Sequence, residues 1–206
     1  MQTPVLEGQL VRLEPLTWAH AEPLAQTAAG ADLELYRWTQ VPRTPQEAER
    51  YIGAALAMHA AGTALPFATV RRADGLVVGS TRIFNVERWS WPEGHERHNR
   101  KEGDVAEIGY TWLGTNALRS GINTEAKLLL LTHAFEALRM LGVCLYADAR
   151  NQRSRAAIQR LGGRFDGILR AHRLATDLTA RDSARYSFVA SEWPQVRERI
   201  LALVRR

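Results

Sequence analysis

From residue 105 onward, strand-like and helix-like segments alternate along the chain, and this alternation constrains the fold more than any other feature. Short apolar runs read as strands, and longer segments between them carry apolar residues at helical spacing. The strands cover 105–113, 143–149 and 164–174, and the helices cover about 122–140 and 152–161. Because such a succession is typical of α/β proteins, we predict an α/β fold.

The flanking segments extend the same pattern. Thr44 followed by Pro45 and Glu47 forms a capping box with Pro at the first helical position, which predicts a helix over 45–61. Ala73-Asp74-Gly75 predicts a hairpin turn. The other predicted strands are 5–14, 66–72, 76–86 and 184–190, the other predicted helices are 18–29 and 192–204, and a long polar loop covers 87–103.

The composition excludes several classes of protein. The chain has 206 residues, of which 46% are hydrophobic and 24% charged, and its longest apolar run (Leu128 to Leu131) is too short for a membrane span. These values predict one globular domain over 1–206. The single Cys, Cys144, excludes an internal disulfide framework and a four-thiolate zinc site. We expect no metal, no membrane association and a cytoplasmic location.

The net charge indicates an affinity for anions. The formal charge of +5 arises from 27 Lys and Arg residues against 22 Asp and Glu residues. Such an excess attracts anions in general. The sequence has no run of five basic residues and no Trp interleaved with basic clusters, which argues against nucleic-acid binding.

The turn at 118–124, between strand 105–113 and the next helix, is the most informative stretch. Its Gly121 lies where the helix begins, and the first N–H groups of a helix have no partner within it. A glycine there lets the backbone approach an anion closely, so the turn is suited to bind a phosphate. The alternative is a plain turn capped by Asn123 or Thr124.

A second polar stretch follows strand 143–149. Asn151 and Ser154 are both good N-cap residues for the next helix, and they lie at a strand end, where α/β folds place ligands. Strand 105–113 carries one acidic residue, Glu107, among apolar neighbours. A carboxylate there acts as a general base if it borders an open site, or faces solvent without a chemical role.

Taken together, three segments resemble a known family. EIGYTWL (107–113), ALRSGINTEAKLLLLTHAFE (117–136) and ARNQRSRAAIQRLGGRF (149–165) are similar, in order and spacing, to the GNAT superfamily of acetyl-CoA-dependent N-acetyltransferases. The similarity is greatest to its RimJ/RimL-type branch and runs from about Leu6 to Trp193. It implies a central twisted mixed sheet, flanked by helices, that splays between its fourth and fifth strands, here 105–113 and 143–149.

The resemblance also implies that acetyl-CoA is the co-substrate and lies where the sheet splays. The strand 105–113 would pair with the pantetheine through its backbone, the turn 118–124 would bind the pyrophosphate, and Asn151 would contact the pantetheine. The implied contacts are Tyr110, Trp112, Leu113, Leu118, Arg119, Ser120, Gly121, Ile122, Asn123, Thr124, Asn151, Arg153 and Ser154.

By the same resemblance, Glu107 takes the place of the acidic residue that deprotonates the acceptor amine, directly or through water. Many members carry a Tyr as general acid four residues before the Gly that closes the helix. Here that position is Ile158, which has no proton to donate, and Ser154 is the better candidate to assist the leaving thiolate. Cys144 lies in an apolar strand, so we expect it to pack in the core rather than act as a nucleophile. We therefore expect the amine to attack the thioester directly, in a ternary complex.

The phosphate turn departs from the family's common pattern, Q/R-x-x-G-x-G/A. Leu118, Gly121 and Asn123 occupy the first, fourth and sixth positions of this six-residue pattern. Leu118 removes a side-chain contact but leaves binding by backbone N–H groups. Asn123 either donates to a phosphate or widens the turn.

The acceptor is expected to be a primary amine, either a protein N-terminus or a small molecule. Tyr36, Arg37 and Trp38 lie in the region that family members use for the acceptor. Trp89, in the loop 87–103, is a candidate for another wall of the same site, and long loops are often functional.

Two other functions stay open at this point. One is a CoA-binding module that lacks catalysis and acts through protein interaction, and the other is RNA binding by a basic surface. The apolar side of the last helix, within 191–206, covers either the domain itself or the second subunit of a homodimer.

Overall fold

The structure is a computed structural model that describes residues 2–30 and 34–205. Met1 and Arg206, the ends of the predicted ranges 1–206 and 191–206, lie outside the described residues. The strands are β1 (Leu6–Glu7), β2 (Val11–Pro15), β3 (Ala64–Arg71), β4 (Val77–Glu87), β5 (Val105–Leu113), β6 (Gly142–Asp148), β7 (Arg164–Leu174) and β8 (Ala180–Val189). The α-helices are α1 (Ala21–Ala28), α2 (Pro45–Ala60), α3 (Ile122–Thr132), α4 (Gln152–Leu161) and α5 (Trp193–Val204).

The strands form one mixed sheet in the order β1-β2-β3-β4-β5-β6-β8-β7. Strands β5 and β6 run parallel, and they pair only from Val105–Gly142 to Glu107–Cys144 before they separate. All other neighbours are antiparallel. The α/β fold and the mixed sheet that splays between strands 105–113 and 143–149 are therefore confirmed.

A bulge in β5 lies just beyond the point where β5 leaves β6. Gly109 pairs with Arg82 and Trp112 pairs with Ser80, so two residues of β5 oppose one residue of β4. Tyr110, the first of the two, has a φ of 51°. A bulge of this kind bends its strand and increases the local twist, which accounts for the divergence of β5 from β6.

Two apolar cores stabilise the sheet, one on each face. The larger core contains the apolar side of α3, including Leu130 and Leu131, together with Val143 and Leu145 of β6. The smaller core combines α1 and α2 with residues such as Trp112. Burial of apolar area on both faces is the main contribution to the stability of this fold.

The last helix covers the domain itself. Trp193, Val196 and Ile200 of α5 are buried in the larger core, and the Trp193 ring lies 5.3 Å from that of Phe135. The apolar side predicted for this helix is thus used within the chain, and a homodimer stays a prediction. In the described ranges, no helix combines the length and the apolar character needed to cross a bilayer.

The predicted strand 5–14 is wrong, because the chain forms two strands separated by a turn. The Glu125 carboxylate of α3 accepts hydrogen bonds from the backbone N–H groups of Gln9, Leu10 and Val11, at 2.8, 2.7 and 2.8 Å. A Cβ on Gly8 would lie 2.5 Å from the same carboxylate. The strand breaks here because its N–H groups donate to the buried, charged carboxylate of Glu125.

We expect Glu125→Gln to lower the free energy of unfolding by about 3 kcal/mol or more. Hydrogen bonds to a buried charged group are worth ~1.5–3 kcal/mol each, and a Gln side chain has one acceptor oxygen for three donors. Urea unfolding measures the loss. Glu198→Gln is the control, because Glu198 has a side chain that is 70% exposed and pairs with Arg197 on the surface of α5. Equal stability of both variants would contradict this role of Glu125.

Three other predicted elements differ from the structure in helix type or by more than two residues at one end. The predicted helix 122–140 is α-helical only to Thr132 and continues as a π-helical turn over His133–Ala137. The predicted helix 18–29 begins with a 3-10 turn, Trp18–His20. The predicted strand 184–190 already begins at Ala180, where Ala175 N donates to the Thr179 carbonyl (2.9 Å) and closes a tight β7–β8 connection.

Candidate active site

The gap between β5 and β6 forms a cleft with Glu107 at its closed end. Beyond the Glu107–Cys144 pair, the edge of β5 that faces β6 has no strand partner in the described chain. Tyr110, Trp112 and Leu113, which were predicted to hold pantetheine through their backbone, lie along this edge. An unpaired strand edge offers N–H and C=O groups to a ligand that runs parallel to it.

The turn 118–124 follows the end of β5 that lies away from Glu107. Arg119 and Gly121 both have positive φ, 58° and 79°. Glu125 N donates the first helical hydrogen bond, to the Gly121 carbonyl at 3.0 Å, and no side chain caps the helix. The N–H groups of Ile122, Asn123 and Thr124 therefore lack a helical acceptor, as an anion-binding helix start requires.

Leu118, Ser120 and Asn123 place no negative charge at this turn. Ser120 donates its hydroxyl to the Ala117 carbonyl, and Leu118 is 36% exposed. Asn123 keeps a buried side-chain amide oxygen that has no hydrogen-bond partner among the described residues. A hollow of about 330 Å³ adjoins the turn. Its lining residues are Gln9, Leu10, Arg71, Arg72, Ala73, Ser120 and Ile122.

On the opposite side of the cleft, the start of α4 is a regular capped helix. The Asn151 amide oxygen accepts from the Ser154 N–H at 3.0 Å, so Asn151 is the N-cap that the sequence offered as an alternative. Ser154 is half-buried beside it. Arg153 donates to the Leu35 carbonyl at 3.0 Å rather than standing free for a phosphate. The contacts of all three with a co-substrate stay predictions.

Glu107 is half-buried and held by two side chains. One guanidinium nitrogen of Arg173 lies 2.7 and 2.8 Å from its two carboxylate oxygens, and Asn85 Nδ2 donates to one of them at 2.9 Å. The Glu107 side chain is 13% exposed. These contacts fix the orientation of the Glu107 carboxylate beside the cleft. Both of its oxygens already accept hydrogen bonds from the charged Arg173. Sequence reasoning missed Arg173 and Asn85.

The segment 34–38 joins the two sides of the cleft. The Tyr36 hydroxyl donates to the Leu113 carbonyl at the end of β5, and Arg153 of α4 donates to the Leu35 carbonyl. Trp38 lies between two guanidinium groups, Arg37 at 4.3 Å and Arg150 at 4.6 Å from its ring. The expectation that side chains of this segment line the acceptor site does not hold for Tyr36, which is 6% exposed and packs in the smaller core.

The loop 87–103 is ordered around one carboxylate rather than around Glu107. Asp104 accepts from Trp89 N at 2.8 Å and from Trp91 Nε1 at 2.9 Å. Arg97 and Arg100 donate to backbone carbonyls just beyond α3. Burial raises the pKa of Asp104, but the hydrogen bonds from Trp89, Trp91 and Arg97 together outweigh it and lower this pKa below its ordinary value. The loop encloses a separate hollow of about 720 Å³, and the role of Trp89 in acceptor binding stays a prediction.

The bulge of β5 is flanked by two buried cations that sequence reasoning also missed. Lys127 of α3 donates to Thr111 Oγ1 at 2.6 Å, and burial lowers its pKa to about 7. On the other face, Arg82 is 2% exposed and lies over the rings of Tyr51 and Tyr110, at 4.5 and 4.1 Å. Neither cation has a carboxylate partner in the described residues.

The described residues offer neither an activated thiol nor a cluster of metal-binding side chains. Burial raises the pKa of the Cys144 thiol even though Arg185 donates to its sulfur at 3.2 Å, which makes a poor nucleophile. Cys144 is half-buried rather than part of the core that was predicted. Within the described ranges, no three His, Cys, Asp or Glu side chains gather as a metal site requires.

Comparison with known proteins agrees with this geometry. A family model described as the acetyltransferase (GNAT) domain matches residues 11–164. A Bacillus subtilis (strain 168) protein, provisionally named ribosomal N-acetyltransferase YdaF, is 32% identical over 120 residues, which are 58% of this chain and 57% of that protein. The match thus spans little more than half of that relative.

Two solved structures superpose on nearly the whole chain. A GCN5-related N-acetyltransferase from Brucella melitensis has a TM-score of 0.82 at 27% identity, covering 99% of this chain and 86% of that one. Mycobacterium smegmatis RimJ in complex with CoA-disulfide shares the fold, with a TM-score of 0.79 at 23% identity over 98% of this chain and 95% of that one. By its matched domain and its splayed mixed sheet, the chain belongs to the GNAT family of acetyltransferases.

Proposed function

We propose that this protein transfers the acetyl group of acetyl-CoA to a primary amine. The observation that carries the proposal is the cleft itself. Among the described residues, the β5 edge beyond Glu107 has no strand partner, and the first N–H groups of the helix that follows β5 have no helical acceptor. Such an arrangement suits a ligand with a peptide-like arm and a phosphate at one end, which is the form of acetyl-CoA.

The described residues fit the two halves of such a ligand. The turn 118–124 would bind the pyrophosphate through backbone N–H groups, and Arg71 and Arg72 line the hollow beside it. M. smegmatis RimJ, which shares the fold, was solved in complex with CoA-disulfide, and this supports the assignment by fold. The co-substrate supplies the acyl group, and the chain's task is to hold both reactants together.

Glu107 is the residue we propose as the base. A primary amine is protonated near neutral pH and must lose a proton before it attacks a carbonyl carbon. The fixed direction of the Glu107 carboxylate, set by Arg173 and Asn85, supports a role in accepting that proton, directly or through water. Ser154 is our candidate for protonating the thiolate that leaves, because it lies half-buried at the start of α4 across the cleft.

The acceptor is either a protein N-terminus or a small-molecule amine. The name of the B. subtilis relative refers to a ribosomal acceptor, and this favours the first of the two.

Release of free thiol from acetyl-CoA over a panel of amines and N-terminal peptides tests the proposed function. We expect release that depends on the amine, with the acetylated product seen by mass spectrometry. Binding of acetyl-CoA without thiol release from any amine would contradict catalysis and support a CoA-binding module. Salt-sensitive retention on RNA that acetyl-CoA leaves unchanged would support the RNA-binding alternative instead.

A further inference from the structure

The sheet beyond β5 has one face that neither apolar core covers. On β6 and β8, alternate residues enter the larger core, and the residues between them project to the opposite side. Directly opposed residues of antiparallel strands share a side. The pairs on the uncovered side are Cys144–Ser187, Tyr146–Arg185 and Asp148–Ser183. We call this side the polar face, and Glu107 borders it because Glu107 pairs with Cys144.

The polar face carries more guanidinium groups than carboxylates can neutralise. Arg173 forms an ion pair with Glu107, and Arg185 lies 3.3 Å from Asp166. Asp148 is likewise occupied, since Arg150 donates to both of its oxygens at 2.9 Å. The acids at this face are therefore already paired with arginines.

Arg181 is the arginine of this face that has no carboxylate partner among the described residues. It lies two residues before Ser183 on β8 and pairs across the ladder with Arg173. It is half-buried, and we find no hydrogen bond or ion pair to it in the described part of the chain. Burial, followed by the charge of Arg173, lowers the pKa of its guanidinium. A desolvated cation beside a second cation is unfavourable unless an anion joins them.

Two neutral groups with free hydrogen-bonding capacity lie beside Arg181. Ser183 is 0% exposed, and its hydroxyl has no partner among the described residues. His172 packs against the Tyr146 ring, 5.0 Å between centroids, and its Nδ1 is also buried and unpartnered. Burial lowers the pKa of His172, so its ring is neutral near pH 7 and can still donate. Three buried polar groups without a partner among the described residues, close together on one face, suit a polar ligand that can pair with them.

We infer that the acceptor amine carries an anionic group, a carboxylate or a phosphate, that binds to Arg181 on the polar face while its nitrogen lies at Glu107. This inference rests on the proposed function and narrows its substrate class. A guanidinium presents a planar fork that matches both oxyanions. Polyamines and aminoglycosides, which bear several positive charges, do not fit a face with this excess of arginine.

Pairs of acceptors that differ only in the anion test the inference. One pair is the C-terminally amidated peptides Ser-Asp-Ala-Ala and Ser-Asn-Ala-Ala, and the other is phosphoethanolamine and ethanolamine. We expect kcat/KM for the anionic member of at least one pair to exceed that of its neutral partner by about 10- to 100-fold, the range of one charged hydrogen-bond pair. The pair that shows the preference identifies carboxylate or phosphate as the natural group. The preference should shrink as salt is added.

The variant Arg181→Met is expected to remove this preference by lowering kcat/KM for the anionic member. Arg164→Met is the control, because Arg164 has a side chain that is 78% exposed and pairs with Glu192 at the start of β7. A readout without turnover is the melting temperature in inorganic phosphate. Phosphate should raise it in the wild type and in Arg164→Met, but less in Arg181→Met.

The possible results separate this inference from the proposed function. Equal kcat/KM within both pairs, or faster acetylation of polycationic amines, would overturn the anion subsite while leaving the acetyltransferase activity in place. A preference that persists in Arg181→Met would overturn the assignment to Arg181. Thiol release from no amine at all would count against the proposed function, and the phosphate-dependent melting temperatures would then test the subsite alone.

Discussion

Glu107→Gln is expected to lower kcat/KM for amine acetylation by about 10²- to 10⁴-fold at neutral pH, the usual contribution of a positioned general base. The variant keeps the size of the side chain and an oxygen that can accept from Asn85, which lies 2.9 Å from the carboxylate. It cannot take a proton, and it leaves Arg173 without its counter-charge. The rate should recover partly as pH rises toward the pKa of the free amine, because more acceptor is then already deprotonated.

The pH profile distinguishes a base from a purely structural residue. If Glu107 only holds Arg173, the variant raises KM for the acceptor and leaves the pH dependence of kcat unchanged. Glu87→Gln is the matched control, since Glu87 lies at the end of β4 and is exposed. Unchanged kcat/KM with an unchanged pH profile would show that Glu107 is not the base.

Lys127→Met is expected to raise the free energy of unfolding at pH 6 by several kcal/mol. Burial lowers the Lys127 pKa from 10.5 to about 7, and since one pKa unit is worth ~1.4 kcal/mol this corresponds to a cost on the order of 5 kcal/mol. Met keeps the apolar stem and removes the charge. Thr81 and Thr111 retain their mutual hydrogen bond of 2.8 Å, so the change leaves neither hydroxyl unpaired.

The sign of the pH dependence of stability follows from the charge of Lys127 in the folded and the unfolded chain. Below about pH 7 the ammonium is charged in both states, so the full cost of burying it is present. Between about pH 7 and 10.5 the unfolded chain binds a proton that the folded chain does not, so stability rises with pH. The advantage of Lys127→Met over the wild type should therefore be largest at pH 6 and smaller at pH 9.

Urea unfolding of both proteins at pH 6 and pH 9 measures this difference, and subtraction removes the titration of all other groups. The only other Lys, Lys101, is exposed in the loop 87–103, so Lys101→Met is a control for the loss of one positive charge. A stability difference that is the same at both pH values would contradict a lowered pKa at Lys127.

Where signals are local, sequence and structure agree closely. The predicted bounds 105–113, 152–161 and 164–174 are those of β5, α4 and β7. Asn151 caps α4 at one end, and Gly162, with a φ of 103°, ends it at the other. Such signals act within a few residues, so they can be read directly from the sequence.

Long-range contacts account for the errors. The strand predicted over 5–14 breaks because Glu125, more than a hundred residues away, accepts three of its N–H groups. In the sequence, Glu125 reads as an ordinary acid in the first turn of a helix. From the sequence, Tyr36 is a candidate for the acceptor site, yet it packs in the smaller core and donates to the Leu113 carbonyl.

The order of strands and helices, the Gly121 turn and the acidic candidate Glu107 could be read from the sequence, because each depends on neighbouring residues. The groups that surround the Glu107 carboxylate emerge only once the chain is folded. Arg173 reaches Glu107 from 66 positions further along the chain, and Arg181 has no acidic partner among the described residues. Charge balance in a groove depends on which strands lie side by side, and that pairing is a property of the folded sheet.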